Sequence, residues 1–382
     1  MPNTPDALVR ADERSRCRPP TVPALLSATL DDALGVDPDR VDGRLRRVPS
    51  AGALHPVAVY LHRRLDGYSE TIRWHPQGAC VPVCRRPSGH ADGVDIVLVA
   101  KPETTIAKYG DRALAHVVLD VGYARSAIVH SAKARGVNPS SPKGVCLPGV
   151  SGFPLASIAV GHFLVQQRMA DTVDHVGHDR GPASGPPAAT DVVTQGLAQL
   201  AGSPDTSVPT TTTISISAIR SRRSAPYDLL TRPAAPESIA SMLVETSPRG
   251  CPDDLEIWLS TETDLRRWND GGFAPVATED LRGELAEAAA QQHALAHVGA
   301  LVFFTAPRAG AVTAATFLRH RLDIAHLGYG LCVRAAGRSL GARPVGGWAT
   351  TMARHPWTDR GVIVHGVALG ALPRSNDAGG PA

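Results

Sequence analysis

"PSAGALHPVAVYL", residues 49–61, joins two textures that seldom sit together by chance. Its second part, Val57-Ala58-Val59-Tyr60-Leu61, reads as a buried strand, because a short apolar run rich in β-branched and aromatic residues fits a pleated, covered surface. Its first part is bracketed by Pro49 and Pro56 and built from small residues. Small residues let backbone approach a neighbour closely, and Ser50 offers a hydroxyl. The stretch therefore predicts a turn that receives something, carried on a core strand.

The pattern returns about 200 residues later. "PSAGALHPVAVYL" can be laid on "SPRGCPDDLEIWL" (247–259), with Gly52 over Gly250 and Tyr60 over Trp258. Further along, "LDVGYARSAIVHSAKARG" (119–136) can be laid on "AHLGYGLCVRAAGRSLG" (325–341), matching the Gly-Tyr pairs at 122–123 and 328–329. Both have helical apolar spacing, and Leu114, Val117, Val118, Val121 and Ile128 mark the first. Each copy closes with a strand ending in Gly, "LASIAVG" and "VIVHGVALG". Repetition at a fixed interval argues for duplication and fusion. Residues 169–213, rich in Pro, Gly, Ser and Thr, read as a linker with room for one or two helical turns. The expected organisation is a first half over 1–168, the linker, and a second half over 214–382. Each half reads as helix, turn, strand, strand, long central helix, loop, strand. That order predicts an α+β unit with helices packed on a mostly antiparallel sheet.

Bulk composition narrows the classes. The chain has 382 residues, 43% hydrophobic and 20% charged, enough for a sizeable core. A formal charge of +3 with scattered arginines argues against nucleic-acid binding, which concentrates charge on one face. The polar start, "MPNTPDALVRADERSRC", lacks the apolar centre of a secretory signal, and no apolar run is long enough to span a bilayer. Of six cysteines only Cys80 and Cys84 form a close pair, with no second pair at zinc-site spacing, so no metal is expected. The chain reads as a cytoplasmic protein.

The opening turn, followed about fifty residues later by "KYGDRALAHVVLDVGYARSAIV" (108–129), closely resembles the flavin-dependent azoline dehydrogenases of the nitroreductase superfamily. These enzymes oxidise thiazolines or oxazolines to azoles in ribosomally made peptide natural products. The resemblance covers most of the first half and, more weakly, most of the second. It implies a nitroreductase-like fold with FMN between two subunits. One subunit supplies the Pro-Ser-x-Gly turn (Pro49, Ser50, Ala51 and Gly52), and the other an Arg-x-Ser element. "SRRSAPYDLL" (221–230) supplies Arg222 and Ser224 for that element, though the basic residue usual two positions later is Pro226. A guanidinium, a hydroxyl and helix-start amides would suit a phosphate. "GARPVGGW" (341–348) lies where the superfamily passes a Gly-rich loop beside the flavin, which adds Pro344, Val345, Gly346 and Gly347. Arg374, just past the last strand, falls where a basic residue for the phosphate is common.

The two copies have complementary losses. The second keeps Arg-x-Ser but has "SPRGCPDD" in place of the turn. The first keeps the turn, but its counterpart of Arg-x-Ser is "ERSRCR" (13–18). The resulting expectation is an intramolecular pseudo-dimer with one working FMN site and one decayed site, able to stand as a monomer. The resemblance assigns proton chemistry to Lys108 and Tyr109, whose counterparts are Ala314 and Ala315. Taken alone, an exposed lysine and a tyrosine packed at a helix start would be the plainer reading. His55 reads as a wall of the site or a satisfied half-buried histidine and not as a catalyst, and Asp111 and Arg112 as a salt-bridging or helix-start feature. The implied partners are an azoline-containing precursor peptide and a cyclodehydratase complex. Two other readings stay open: a general NAD(P)H-dependent nitro or quinone reductase, and a decayed flavoprotein acting as a scaffold.

Overall fold

The structure, a computed structural model, describes residues 22–37, 46–65, 67–76, 80–89, 92–140, 142, 150–160, 187–202, 207–248, 254–348, 355–357 and 361–373. The first half opens with α1 (Ala24–Leu34) and a short helical turn at Ala51–Ala53. Strands β1 (Val57–Leu65), β2 (Tyr68–Trp74), β3 (Cys80–Pro87) and β4 (Gly93–Ala100) follow, then α2 (Glu103–Tyr109), α3 (Ala113–Ala134) and β5 (Phe153–Ala159). All pairings are antiparallel, and the sheet order is β3-β2-β1-β4-β5. The sequence pattern gave two strands before the central helix where four form. The two it misses, β2 and β3, make an outer meander, and most of β3 faces water.

Helix α4 (Pro187–Ala201) begins the passage to the second half. The segment expected to be mostly linker here holds a 15-residue helix with Val193, Leu197 and Leu200 buried. Gly196 of α4 sits against Leu114 of α3. The second half then runs α5 (Ile216–Ser221), α6 (Pro236–Thr246), β6 (Glu256–Ser260), β7 (Leu265–Asn269), β8 (Gly272–Ala277) and α7 (Arg282–Ala288). It ends with β9 (Ala300–Ala306), α8 (Ala314–Ala336), β10 (Leu340–Val345) and β11 (Val362–Ala371), in the sheet order β10-β11-β9-β6-β7-β8.

The duplication is visible in this order. Strands β1, β2, β3, β4 and β5 correspond to β6, β7, β8, β9 and β11, with β10 added at the edge. Tyr60 pairs with Val97 and Trp258 with Phe303, at matching places in the two sheets. α1 packs on α3 as α6 packs on α8. The chain is an α+β pseudo-dimer of two divergent copies, and α3 crosses α8 at its centre.

The crossing explains both Gly-Tyr pairs. A Cβ on Gly122 would stand 2.5 Å from the Ala325 Cβ, and one on Gly328 would stand 2.5 Å from the Tyr123 hydroxyl. Glycine lets the two backbones close to this distance. Tyr123 and Tyr329 meet edge to face at 6.2 Å between ring centres. Because α3 is buried all round from His116 to Ala132, its apolar pattern is broad and not a single stripe.

A second tie between the halves comes from "SRRS". Arg220 Nε donates to Asp32 at 2.7 Å, Arg222 Nε to the Arg47 carbonyl at 2.7 Å, and Arg223 Nη2 to Asp37 at 2.8 Å. Beyond them Ser224 bridges Ala342, laying the start of the second half along β10. Arg135, just past the C-terminal end of α3, joins the same Asp32 at 2.9 Å, whereas the turn at 49–53 lies against Asp120, nearer the start of that helix.

Candidate functional site

The turn is held from beneath by α3. The Ser50 hydroxyl meets the Asp120 carboxyl at 2.6 Å, the Ala51 amide donates to the same carboxyl at 3.1 Å, and the Ser50 Oγ accepts from the His55 amide at 2.9 Å. Ser50 thus braces its own loop. Burial pushes the Asp120 carboxyl up to about 7, against the Ser50 and Ala51 hydrogen bonds that pull it down. Above this brace the backbone turns left-handed at Gly52 (φ 59°) and Ala53 (φ 57°).

The Lys108-Tyr109 pair reaches the outer side of the same turn. α2 ends at Tyr109 because Gly110 (φ 56°) leaves the helix, and that break delivers both side chains toward Gly52. A Cβ on Gly52 would stand 2.3 Å from the Lys108 Nζ and 2.7 Å from the Tyr109 hydroxyl. The ammonium lies 5.3 Å from the centre of the Tyr109 ring, which packs on His116 at 4.5 Å.

The opposite wall belongs to the second half. β10 carries Arg343 and Pro344 into it, Gly346 and Gly347 continue it, and Ser224 runs alongside. The Arg343 guanidinium stacks 4.6 Å over the Tyr227 ring and donates to the Ala225 carbonyl at 3.3 Å. Between the walls lies a cavity of about 410 Å³, the size of a small-molecule or cofactor site. His365, also in the lining, shares a hydrogen bond with the Tyr123 hydroxyl at 2.7 Å. Burial pushes His365 down to about 3, helped by His116, which is itself lowered by burial and by Arg112. Both imidazoles are therefore neutral at ordinary pH.

The placement of the expected residues is specific. Pro49, Ser50, Ala51, Gly52, Tyr109, Ser224, Pro344, Gly346 and Gly347 line the cavity together. Lys108 joins them through Gly52 without being part of the lining. Arg222 does not line the cavity: its guanidinium is buried against the Arg47 carbonyl, with Nη1 unpartnered. Val345 packs into the core of the second half, because alternation along β10 turns it away from Pro344. His55 faces the small gap behind the turn, not the main cavity. Arg374 lies outside the described residues, as do Gly250 and the "ERSRCR" segment.

Sequence reading missed Asp120, His116, Tyr123, His365, Gln292 and Arg343; Arg112 does stand at the start of α3, as expected, and lines the cavity as well. Arg343 stands inside the segment 341–348, one residue before Pro344, the first position taken from it. Asp120 had a signal too, as an acid inside an otherwise apolar helix.

The matching place in the second copy is built differently. With Gly122 over Gly328, Asp120 corresponds to His326. That imidazole stacks on His130 at 5.3 Å and lies 3.3 Å from both the Ser126 hydroxyl and the Thr246 carbonyl. It is packed into the seam, and its partner from the second copy is the carbonyl of Thr246 at the end of α6.

A solved structure assigned to the nitroreductases, from Anabaena variabilis, superposes on 91% of this chain and 88% of its own, with a TM-score of 0.66 and 15% identity. The chain has the nitroreductase fold. Shorter matches span about half of it: an NADPH:FMN oxidoreductase from Vibrio harveyi (44% of this chain, 72% of the other, 17% identity, TM-score 0.31), and the E. coli microcin synthetase McbBCD complex (43%, 75%, 15% and 0.31). No protein-family model matches the chain, and no curated protein does. Within this nitroreductase fold, the cavity lies where the two copies meet. Among the described residues no cluster of His, Cys, Asp or Glu could hold a metal ion, and no helix is long and apolar enough to cross a membrane.

Proposed function

We propose that the chain is an FMN-dependent oxidoreductase that dehydrogenates azoline rings in a peptide. The observation that carries this reading is the convergence of Lys108 and Tyr109 on the Gly52 turn, facing a wall from the other copy that carries Ser224 and Arg343.

The residues suit FMN at each end. A flat ring system needs stretches of wall without bulky side chains, to which Gly346 and Gly347 contribute, while the space beside Gly52 is taken by Lys108 and Tyr109. A Cβ on Gly346 would come within 3.3 Å of His116, and one on Gly347 within 3.4 Å of Ala290. A phosphate needs converging donors, which the Arg343 guanidinium and the Ser224 hydroxyl supply in place of Arg222. Bound FMN would supply a two-electron oxidant. The protein's own part is to orient the azoline ring, exclude water and take the proton lost from the ring carbon. Lys108 and Tyr109 are the proton-handling groups of this reading, and burial holds His116 beside Tyr109 toward its neutral form, which keeps a second positive charge away from Lys108.

The test begins with binding: purified protein mixed with FMN should retain it and show the yellow of an oxidised flavin. Incubation under air with an azoline-bearing peptide should then remove two hydrogens per ring by mass. Lys108→Ala and Tyr109→Phe should each lower that rate by at least about a hundredfold while FMN stays bound. Full activity in both variants would sink the catalytic assignment. A preparation that never takes up FMN would sink the whole reading. Rapid NADPH-driven nitro reduction with no change in the peptide would move it to the general reductases.

A further inference from the structure

The rim of the cavity beside Gly347 comes from residues 289–292, just past α7. This element has no counterpart in the first half, where β3 runs into β4 through residues 88–92. The Ala290 and Gln291 backbones are both left-handed (φ 55° and 60°), a conformation that costs residues with a Cβ and that consecutive residues rarely share. The strain brings Gln292 inward, where every polar atom of its amide group has a protein partner. Its Nε2 donates to the Ala289 carbonyl at 2.7 Å and to the Gly346 carbonyl at 2.8 Å. Its Oε1 accepts from the Tyr227 hydroxyl at 2.9 Å, and Tyr227 is the ring on which Arg343 rests.

We propose that Gln292 is a positioning residue: it fixes Gly346 directly and Arg343 through Tyr227, and thereby makes the cavity prefer a phosphorylated flavin to the same flavin without its phosphate. This rests on the flavin reading above. The amide joins the two parts of one wall, the bare glycine backbone and the guanidinium. An arginine held in one orientation binds an oxyanion better than one free to swing into solvent, because little of its rotamer freedom remains to be lost on binding. Gln292 does not line the site as an anion donor, since both its N–H groups are already engaged.

The experiment compares FMN with riboflavin, which shares the ring and ribityl chain and lacks the phosphate. Dissociation constants come from quenching of flavin fluorescence by the full chain and its variants. Wild type should prefer FMN, and Arg343→Ala should remove most of that preference. Gln292→Ala should raise the Kd for FMN about tenfold while changing that for riboflavin by less than about twofold. Tyr227→Phe, which keeps the stacked ring and removes the hydroxyl, should move both constants the same way by a smaller factor. It also provides the test if Gln292→Ala does not fold. Equal weakening of both flavins in the two variants would mean that Gln292 only supports the fold, and no change in either would remove its role. Both outcomes overturn the inference, as would a wild type with no preference. A wild type that binds neither flavin overturns the flavin reading itself.

Discussion

Asp120 couples the site to pH. Its folded-state pKa of about 7 lies above the ordinary 3.8, so the native chain holds this proton more tightly than the unfolded chain. The stability it contributes is complete below pH 3.8 and is lost as pH rises through 7, a difference on the order of 4 kcal/mol. Asp120→Asn keeps an acceptor for the Ala51 amide and a donor toward Ser50, and removes the titration. Urea unfolding at pH 5 and pH 8 should show wild-type stability falling relative to the variant as pH rises; parallel behaviour of the two would rule out Asp120 as a buried titrating group. The same residue marks a limit of sequence reading. "PSAG" announced a tight turn, and Gly52 does admit Lys108 and Tyr109, but what braces that turn lies 70 positions away on a helix. Arg222 shows the converse. Its place in an Arg-x-Ser motif was legible, yet its direction depends on a carbonyl at residue 47 that no local pattern reveals.

At the scale of elements, the strongly apolar pieces were readable: β1, β5, α3, α8 and β11. The pieces that escaped have a common cause. β3 is mostly exposed, and β2 buries Thr71, Ile72 and Trp74, two of them adjacent, so alternation is weak in both. α4 hides its apolar residues in a stretch whose Pro, Gly and Thr dominate the composition. The rim turn at 289–292 uses Ala and Gln where glycine would have signalled positive φ. The α3–α8 crossing is the element on which the rest depends. Alanine improves helix propensity over glycine by roughly 1 kcal/mol, but a Cβ at Gly122 meets the Ala325 Cβ at 2.5 Å and the Leu322 Cα at 3.2 Å. Overpacking against a second backbone costs about 1–3 kcal/mol and should win. Gly122→Ala should lower the denaturation midpoint, and adding Ala325→Gly should recover part of the loss. A double variant no better than the sum of its parts would show that the contact is not the cause.

Across the whole molecule, the proposed flavin site draws Gly52, Lys108, Tyr109 and the bracing Asp120 from one copy and Ser224 and Arg343 from the other. The inverse combination would have Ala314, Ala315 and His326 in place of Lys108, Tyr109 and Asp120. Flavin titration should therefore saturate at about one FMN per chain; saturation at two would refute the decayed second site. The halves of the cavity also meet at an effective concentration set by the chain itself, so FMN affinity should not fall when the protein is diluted to nanomolar levels. The seam between α3 and α8 has a consequence for how such a molecule can change. In a symmetric homodimer every substitution is made twice, and a residue that improves one site is imposed on its twin. Here position 120 and position 326 are separate letters in one sequence. One could become the acid under a turn while the other became a histidine packed in the seam, and neither change had to be compatible with a copy of itself across the axis.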